Sequence, residues 1–199
     1  MAWTNAKTAL VIGAGVLLAG TTAIILYSLP WPIRSIPSDW LVISGEREQW
    51  HWANGKINAN STTGDSILAS GRDYDDVTLS AIVRVTRREG SLAIRMQDAN
   101  NGYLVVFTPW NDAGRISLVK RADGNEITLA SYRGRVPSSK GPSAKITVIA
   151  RGPEIEVRLN NVSVLKVVDR TFAAGLIGLR IIGAPDFPCD ATFASVTFH

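Results

Sequence analysis

Apolar and polar residues alternate with a period of two along short runs of the chain from Trp40 onward, and glycine, asparagine and aspartate separate these runs. Alternation of this kind is typical of strands that bury one face. None of the runs has the spacing of three and four residues that an amphipathic helix requires. We therefore predict an all-β domain over residues 40–199. The predicted strands are 51–59, 66–71, 77–86, 91–98, 102–109, 115–122, 126–133, 144–151, 154–160, 162–169, 175–183 and 191–198.

Turn residues predict how these strands are connected. Asn160 and Asn161 stand between two alternating runs and suit a two-residue hairpin turn, because asparagine tolerates positive φ. The segments 100–102 and 122–125 contain Asn-Gly and Asp-Gly pairs and predict two further hairpins. Antiparallel strands in this number exceed what a small barrel holds. The predicted fold class is an antiparallel jelly-roll sandwich of two stacked sheets.

The amino-terminal segment has a different pattern. Residues 9–29 contain no charged side chain, and their length matches the ~20 residues that a helix needs to cross a bilayer. Prolines directly after this stretch end the helix. We predict a short cytoplasmic tail over 1–8, a single-pass signal-anchor helix over 9–29, a proline-rich tether over 30–39 and an extracytoplasmic domain over 40–199. A cleaved signal peptide is the alternative, and the domain is then secreted.

Composition and charge exclude several classes of function. A hydrophobic content of 46% is ample for a core, and Cys189 is the only cysteine, so neither an intrachain disulfide nor a cysteine-based metal cluster can form. The net charge of +4 comes from residues spread along the chain, which gives nucleic-acid binding little support. We expect no cofactor and no metal. Calcium is the exception to look for, because Asp98, Asn100 and Asp190 offer fragments of an oxygen-rich site.

Several stretches resemble a known superfamily. The most specific are RMQDANNGY at 95–103 and DRTFAAGLIGLR at 169–180. Together with the runs around them, they resemble the concanavalin A-like lectin/glucanase superfamily. Within it, the chain is most similar to the bacterial 3-keto-disaccharide hydrolase (glycosidase-like) group, and more distantly to laminin-G-like modules. The resemblance implies a two-sheet jelly roll and carbohydrate recognition.

The catalytic pattern of the enzymes in that superfamily is missing from any single strand. A retaining glucanase needs two carboxyl groups about 5–5.5 Å apart, and Glu154 and Glu156 are the nearest approach to such a pair. Their alternation with apolar residues favours a solvated outer face. Asp73, Asp75 and Asp76 read as ordinary turn residues. We therefore favour carbohydrate binding; a glycoside hydrolase-like enzyme acting on a disaccharide or glucan and a protein-interaction module remain alternatives.

Alternation along the strand at 91–98 suggests a ligand site. It puts Leu92, Ile94 and Met96 on one face and Ala93, Arg95 and Gln97 on the other. The resemblance implies a ligand lying across a concave sheet, where Arg95 and Gln97 donate hydrogen bonds and aromatic rings contact the sugar. The alternative is that Arg95 pairs with an acidic residue and that Tyr103 is buried. The candidate ligand-binding residues are Arg95, Gln97, Tyr103, Trp110, Trp52, Lys120 and Arg180.

Overall fold

The computed structural model describes residues 39–108, 114–134 and 143–199. The predicted signal-anchor helix at 9–29 and the candidate Trp110 lie outside the described residues. Within the described part, the one helix is a short 3-10 turn at Arg47–Gln49, and no helix there has the length and apolar character needed to span a membrane.

The described residues form two antiparallel sheets of seven strands each. In chain order the strands are β1 (Trp40–Ser44), β2 (Trp50–Ala53), β3 (Lys56–Ser61), β4 (Gly64–Tyr74), β5 (Val77–Arg87), β6 (Glu89–Asp98), β7 (Asn101–Thr108), β8 (Arg115–Ala122), β9 (Asn125–Arg133), β10 (Ala144–Arg151), β11 (Glu154–Leu159), β12 (Val162–Val168), β13 (Gly175–Gly183) and β14 (Cys189–Phe198). The first sheet has the order β1-β4-β13-β6-β7-β8-β9. The second has the order β12-β11-β10-β5-β14-β3-β2.

This arrangement confirms the predicted all-β sandwich, with local differences at the strand ends. The predicted strand 51–59 is two strands, because Asn54 and Gly55 have φ values of 52° and 71° and turn the chain between β2 and β3. The hairpin turn at Asn160 and Asn161 is confirmed, since their φ values are 49° and 69° and β11 pairs with β12. Strand β1 has no counterpart among the predicted strands.

The main core lies between the two sheets. Phe193, Ile57 and Leu92 are fully buried there, and each such side chain stabilises the fold by roughly 1.5–3 kcal/mol. Trp50 is also buried, and its indole N–H donates to Ser66 Oγ at 2.8 Å, so its polar atom is satisfied. The indole therefore joins the core without leaving a donor unpaired.

A second, smaller apolar cluster lies on the outer face of the first sheet. We call it the outer cluster. Its buried members come from the three adjacent strands β6, β7 and β8 and from β4, which β13 separates from β6. They are Ile67, Ala93, Met96, Leu104, Val106 and Val119. This face is consequently more buried than the solvated face of an ordinary antiparallel sheet.

Strand β6 contains a bulge at Arg95, and this changes the face of every residue after it. Arg95 has a φ of 52°, and the register of β6 against β7 shifts between Ile94 and Asp98. Ile94 points into the main core, whereas Met96 belongs to the outer cluster. The prediction that Met96 shares a face with Leu92 and Ile94 is therefore wrong, because strict alternation ends at a bulge.

Glycines on both neighbouring strands make room for the bulge. Gly175 on β13 has a φ of 147°, and a Cβ atom there would lie 2.6 Å from the carbonyl carbon of Arg95. Gly102 on β7 has a φ of 150°, and its Cβ would lie 2.5 Å from Met96 Sδ. Both positions need glycine for its φ and for the close approach of the chain.

Candidate functional site

A cavity of about 430 Å³ opens at one end of the sandwich. Three connections meet there: the loop between β4 and β5, the turn between β10 and β11, and the segment between β12 and β13. The bulge of β6 contributes the remaining wall. The lining residues are Asp75, Asp76, Arg95, Gly152, Pro153, Asp169, Arg170, Phe172 and Ala173. The cavity therefore combines three carboxylates, two guanidinium groups and one aromatic ring.

The Arg95 side chain forms hydrogen bonds with two of these connections. Its side chain is 1% exposed, its Nε donates to the Asp75 carbonyl oxygen at 3.0 Å, and its Nη1 donates to the Phe172 carbonyl oxygen at 3.3 Å. Its Nη2 lies 3.7 Å from Asp76 Oδ1, which is an attractive distance but too long for a hydrogen bond. The guanidinium thus holds the backbone of both loops, and this offsets the strain of its left-handed φ.

Asp169 is the centre of a second network in the same wall. Its Oδ1 accepts hydrogen bonds from Tyr103 Oη at 2.6 Å and from the Thr171 amide at 2.8 Å, and its Oδ2 accepts one from Lys120 Nζ at 3.0 Å. Burial by itself raises the pKa of Asp169, but the hydrogen bonds from Thr171, Tyr103 and Lys120 outweigh burial and lower that pKa well below its usual range. The carboxylate therefore stays ionised at neutral pH.

The pKa of Tyr103 shifts in the opposite direction to that of Asp169. Burial, followed by the hydrogen bond to Asp169, raises the pKa of the Tyr103 phenol. The phenol consequently stays protonated and donates to Asp169. Its oxygen also accepts a hydrogen bond from the Phe172 amide at 3.2 Å, and the rings of Tyr103 and Phe172 pack edge to face with centroids 5.4 Å apart. The ring of Phe172 is thereby fixed at the cavity wall.

Polar groups at the cavity mouth can form further hydrogen bonds with a ligand. Asp76 is 49% exposed, and its Oδ1 accepts the Gly152 amide at 2.7 Å. The Asp75 carboxylate accepts the Asp76 amide at 2.7 Å through its own Oδ1. Arg170 is exposed and makes no hydrogen bond or ion pair with the residues that the structure describes. A carboxylate oxygen and a guanidinium beside an aromatic ring can bind a hydroxyl-rich ligand.

Four of the sequence-predicted site residues meet at this end of the sandwich. Arg95, Tyr103 and Lys120 contact the 169–172 segment as described, and Gln97 Nε2 donates to the Ala174 carbonyl oxygen. The sequence predicts that Arg95 faces a groove across a concave sheet; its guanidinium instead donates to the Asp75 and Phe172 carbonyl oxygens at the end of the sandwich. Only Arg95 among these four lines the cavity.

The other candidates lie elsewhere. Trp52 is half-buried against the main core on β2, the edge strand of the second sheet. Arg180 lies on the outer face of the first sheet, where its Nε donates to Asp65. Trp110 is outside the described residues. The sequence interpretation took Asp76 for a turn residue and did not single out Asp169, Arg170 or Phe172, although these three lie in the segment at 169–180 that carries the resemblance.

The described residues contain no candidate metal site. Among residues 39–108, 114–134 and 143–199, no group of three or more His, Cys, Asp or Glu side chains is arranged to hold an ion. Asp98 instead accepts hydrogen bonds from the Asn100 amide at 2.6 Å and from Asn101 Nδ2 at 3.0 Å, so its oxygens organise the hairpin turn.

Neither a protein-family model nor a curated protein sequence matches the chain. Solved structures do. The chain is similar to the carbohydrate binding module CBM66 from Bacillus subtilis, with 23% identity and a TM-score of 0.69 over 81% of this chain and 95% of that one. It is similar to the Emp47p carbohydrate recognition domain, with 13% identity and a TM-score of 0.62 over 83% and 90% of the two chains.

A third similar structure is a prokaryotic β-1,3-1,4-glucanase (lichenase) derived from a mouse hindgut metagenome. Its identity is 10% and its TM-score is 0.61, over 79% of this chain and 92% of that one. At these identities the likeness establishes the fold alone. The chain has the concanavalin A-like lectin/glucanase fold, as the sequence resemblance implied.

Proposed function

We propose that the domain over 40–199 binds carbohydrate in the cavity at the end of the sandwich. The observation that carries this proposal is the composition of the cavity mouth, where Asp75, Asp76 and Arg170 surround Phe172. Sugar hydroxyls both donate and accept hydrogen bonds, so adjacent carboxylate and guanidinium groups match them. The ring of Phe172 offers a flat apolar surface to the C–H face of a sugar.

The structural neighbours support this ligand class. Two of the similar solved structures carry carbohydrate binding or recognition in their names, and a third is a glucanase. The resemblance of the sequence to the 3-keto-disaccharide hydrolase group points to the same class. We place the ligand at the loop-lined end and not across the outer face of the first sheet, because Arg95 and Phe172 both face that end.

Binding without cleavage is the activity that the cavity supports best. Glycoside hydrolysis needs one protonated and one ionised carboxyl group on either side of the scissile bond. Asp169 is ionised and both its oxygens accept hydrogen bonds from Tyr103, Thr171 and Lys120, so it has no proton to give. It acts as a support for the connection between β12 and β13.

Carbohydrate binding is tested by screening the full chain on a glycan array and then titrating the glycan that gives the strongest signal by calorimetry. Asp76→Asn and Arg170→Gln should each weaken binding about tenfold or more, since a hydrogen bond to a charged group contributes roughly 1.5–3 kcal/mol. Asp190→Asn is the matched control, because Asp190 is an exposed acid on β14 outside the cavity. Equal affinity in all four proteins contradicts the proposed site, and reducing-end release during titration indicates the hydrolase alternative.

We also propose that residues 9–29 anchor the domain to the cell membrane, with the domain on the extracytoplasmic side. The support is the uncharged length of this segment. The full chain should then sediment with membranes and resist carbonate extraction. A mature protein that begins near Ile24 shows the signal-peptide alternative to be right.

A further inference from the structure

Four cationic side chains cross the outer face of the second sheet, and none of them lines the cavity. Along β5, β10 and β11, residues such as Val83, Ile146 and Val157 pack in the main core, so the residues that alternate with them point outward. Four adjacent strands each place one cation on this outer face. We call these side chains the cation row: Arg84 on β5, Lys145 on β10, Arg158 on β11 and Lys166 on β12.

The strand registers place the cation row on a straight diagonal. In each step from β5 to β12, the next cation lies one strand across and two residues along, always in the same direction. The Cα pairs that fix this arrangement are Ile82–Lys145, Thr147–Arg158 and Glu156–Lys166. Diagonal neighbours of this kind are ~7–8 Å apart on an antiparallel sheet, so the row extends over roughly 20–25 Å.

The outer face of these four strands carries more positive than negative charge. Arg151 adds a fifth cation at the end of β10, whereas the outward carboxylates are Glu154 and Glu156. Arg158 Nε donates to Glu156 Oε1 at 2.7 Å, and Lys166 Nζ lies 2.9 Å from Glu154 Oε1. Each carboxylate therefore offsets one member of the row, and a positive excess remains for an anionic partner.

Lys145 is the member of the row that is most accessible to a partner. Its side chain is exposed and makes no hydrogen bond or ion pair with the residues that the structure describes. Hydroxyl groups lie beside the row, because Thr147 and Ser163 pair with Arg158 from its two sides. A hydroxyl both donates and accepts hydrogen bonds, so this face can bind the hydroxyls of a ligand as well as its charge.

The residue types on this face favour one class of polyanion. Strands β5, β10, β11 and β12 contain no aromatic residue. Proteins that bind single-stranded nucleic acid stack its bases on aromatic rings, which this face lacks. A lipid surface attracts cations wherever they lie on a face, whereas a linear polymer is matched by a single row of them. Cations in a line with hydroxyls between them fit a chain of acidic sugars.

We propose that the cation row binds a linear acidic polysaccharide, in which each sugar or every second sugar carries a carboxylate or sulfate group. The polymer runs diagonally across the four strands. Its acidic groups lie over the cations in turn, and its hydroxyls form hydrogen bonds with Thr147 and Ser163. The two ion pairs on this face give way to the polymer readily, because surface ion pairs contribute little to stability. This site does not rest on the carbohydrate binding proposed for the cavity.

The test measures binding of the full-length protein to three soluble polymers by calorimetry. Polygalacturonate carries one carboxylate per sugar, dextran sulfate carries sulfate groups, and dextran is neutral. We expect acidic polymer to bind and dextran not to bind, with an affinity that falls as salt is added, because salt screens surface charges. Equal affinity for both acidic polymers means that the row accepts either acidic group, and binding of only one identifies the group. Tighter binding to oligo-dT or to phosphatidylglycerol vesicles than to both acidic polymers overturns the proposal.

Matched lysine variants separate the row from the net charge of the protein. Lys145→Gln and Lys56→Gln each remove one exposed cation, but Lys56 lies on β3, three strands away from β10 and outside the row. We expect Lys145→Gln to weaken binding about threefold to fivefold, and Lys145→Gln with Arg84→Gln to weaken it about tenfold or more. Lys56→Gln should change the affinity less than about 1.5-fold, since it removes only a distant, screened charge.

A carboxylate variant should have the opposite effect. Glu156→Gln removes the anion that holds Arg158 and should strengthen binding about threefold. All variants are first shown to be folded by circular dichroism. The proposal is overturned if Lys145→Gln and Lys56→Gln weaken binding equally, if the double variant binds as well as the unchanged protein, or if dextran binds as well as polygalacturonate. A glycan held in the cavity should bind the double variant normally, so failure of this proposal is distinguishable from failure of the cavity site.

Discussion

Two buried arginines of this domain are held by different kinds of partner. Arg95 donates to main-chain carbonyl oxygens of two loops at the end of the sandwich, whereas Arg180 donates to the side chains of Asp65 and Glu126 on the outer face of the first sheet. Arg95 therefore supports the loops that form the cavity, whereas Arg180 is held by two carboxylates over the face of its own sheet.

The largest expected effect comes from filling the space beside the Arg95 bulge. Gly175→Ala puts a Cβ atom 2.6 Å from Arg95 and Met96 main-chain atoms at a φ of 147°. We expect a loss of about 3–5 kcal/mol in the free energy of unfolding, measured in urea, because overpacking adds to backbone strain. The control is Gly152→Ala, which has a φ of 49° and open space around its Cβ, and should cost about 1 kcal/mol. Equal losses contradict the close packing around the bulge.

Removing the Arg95 guanidinium tests its role as a support for the loops. Arg95→Met keeps the apolar stem but leaves the Asp75 and Phe172 carbonyl oxygens without their donor. We expect a loss of about 2–4 kcal/mol in the free energy of unfolding. Arg170→Met, at an exposed position in the same cavity, should cost less than about 0.5 kcal/mol. An unchanged thermal midpoint in Arg95→Met means that Arg95 serves a ligand and not the fold, as the sequence pattern predicted.

The carboxylates of the two regions should also differ in their contribution to stability. Asp169→Asn removes a partly buried ionised acceptor and should cost about 1–3 kcal/mol at pH 7. Glu126→Gln, which changes a carboxylate that is 36% exposed on the edge strand β9 and pairs with Arg180, should cost less than about 1 kcal/mol. Urea titrations of both variants and of the unchanged protein measure these values. A larger loss for Glu126→Gln reverses the comparison.

The loss of stability in Asp169→Asn should depend on pH, because the pKa of Asp169 is lowered in the folded protein. Because the folded pKa is below the unfolded value of about 3.9, the stabilisation is present above that pH and is lost as pH falls toward the folded pKa. The stability difference between the unchanged protein and Asp169→Asn should therefore shrink below about pH 4. A difference that stays constant from pH 7 to pH 2 means that charge has no part in it.

The smallest expected effect lies outside both regions, at the hairpin between β11 and β12. Asn161→Gly should be neutral or slightly stabilising, because φ is 69° there and glycine accepts it freely. Asn161→Val should cost on the order of 1 kcal/mol or more, since a β-branched residue resists positive φ. Indistinguishable unfolding curves for these two variants contradict the primed turn.

The fold was accessible to sequence reasoning because its signals are local. Strand alternation and the Asn160–Asn161 turn depend on near neighbours in the chain, and both describe the structure well. The bulge at Arg95 could not be predicted from the sequence, because the alternation of apolar and polar residues shows no break at the extra residue. Its sequence signs, Gly102 and Gly175, lie on two other strands and become meaningful only when those strands are known to be its neighbours.

The candidate site was predicted in part for the same reason. Arg95, Tyr103 and Lys120 were chosen as groove residues, and they do lie together, but around Asp169 and Phe172 at the end of the sandwich. Their meeting point depends on the connection between β12 and β13, which crosses from one sheet to the other. No residue spacing along the chain shows that crossing. Their role in ligand binding stays a prediction.

The most direct test of the central claim is to map the bound glycan by NMR. Amide chemical shifts of the full chain are followed while the best oligosaccharide from the array is added. We predict that the largest shifts occur at Gly152, Arg170 and Phe172, which surround the cavity. Shifts confined to Leu104 and Val106 on the outer face of the first sheet, or no shifts with any array-positive glycan, would contradict carbohydrate binding at the end of the sandwich.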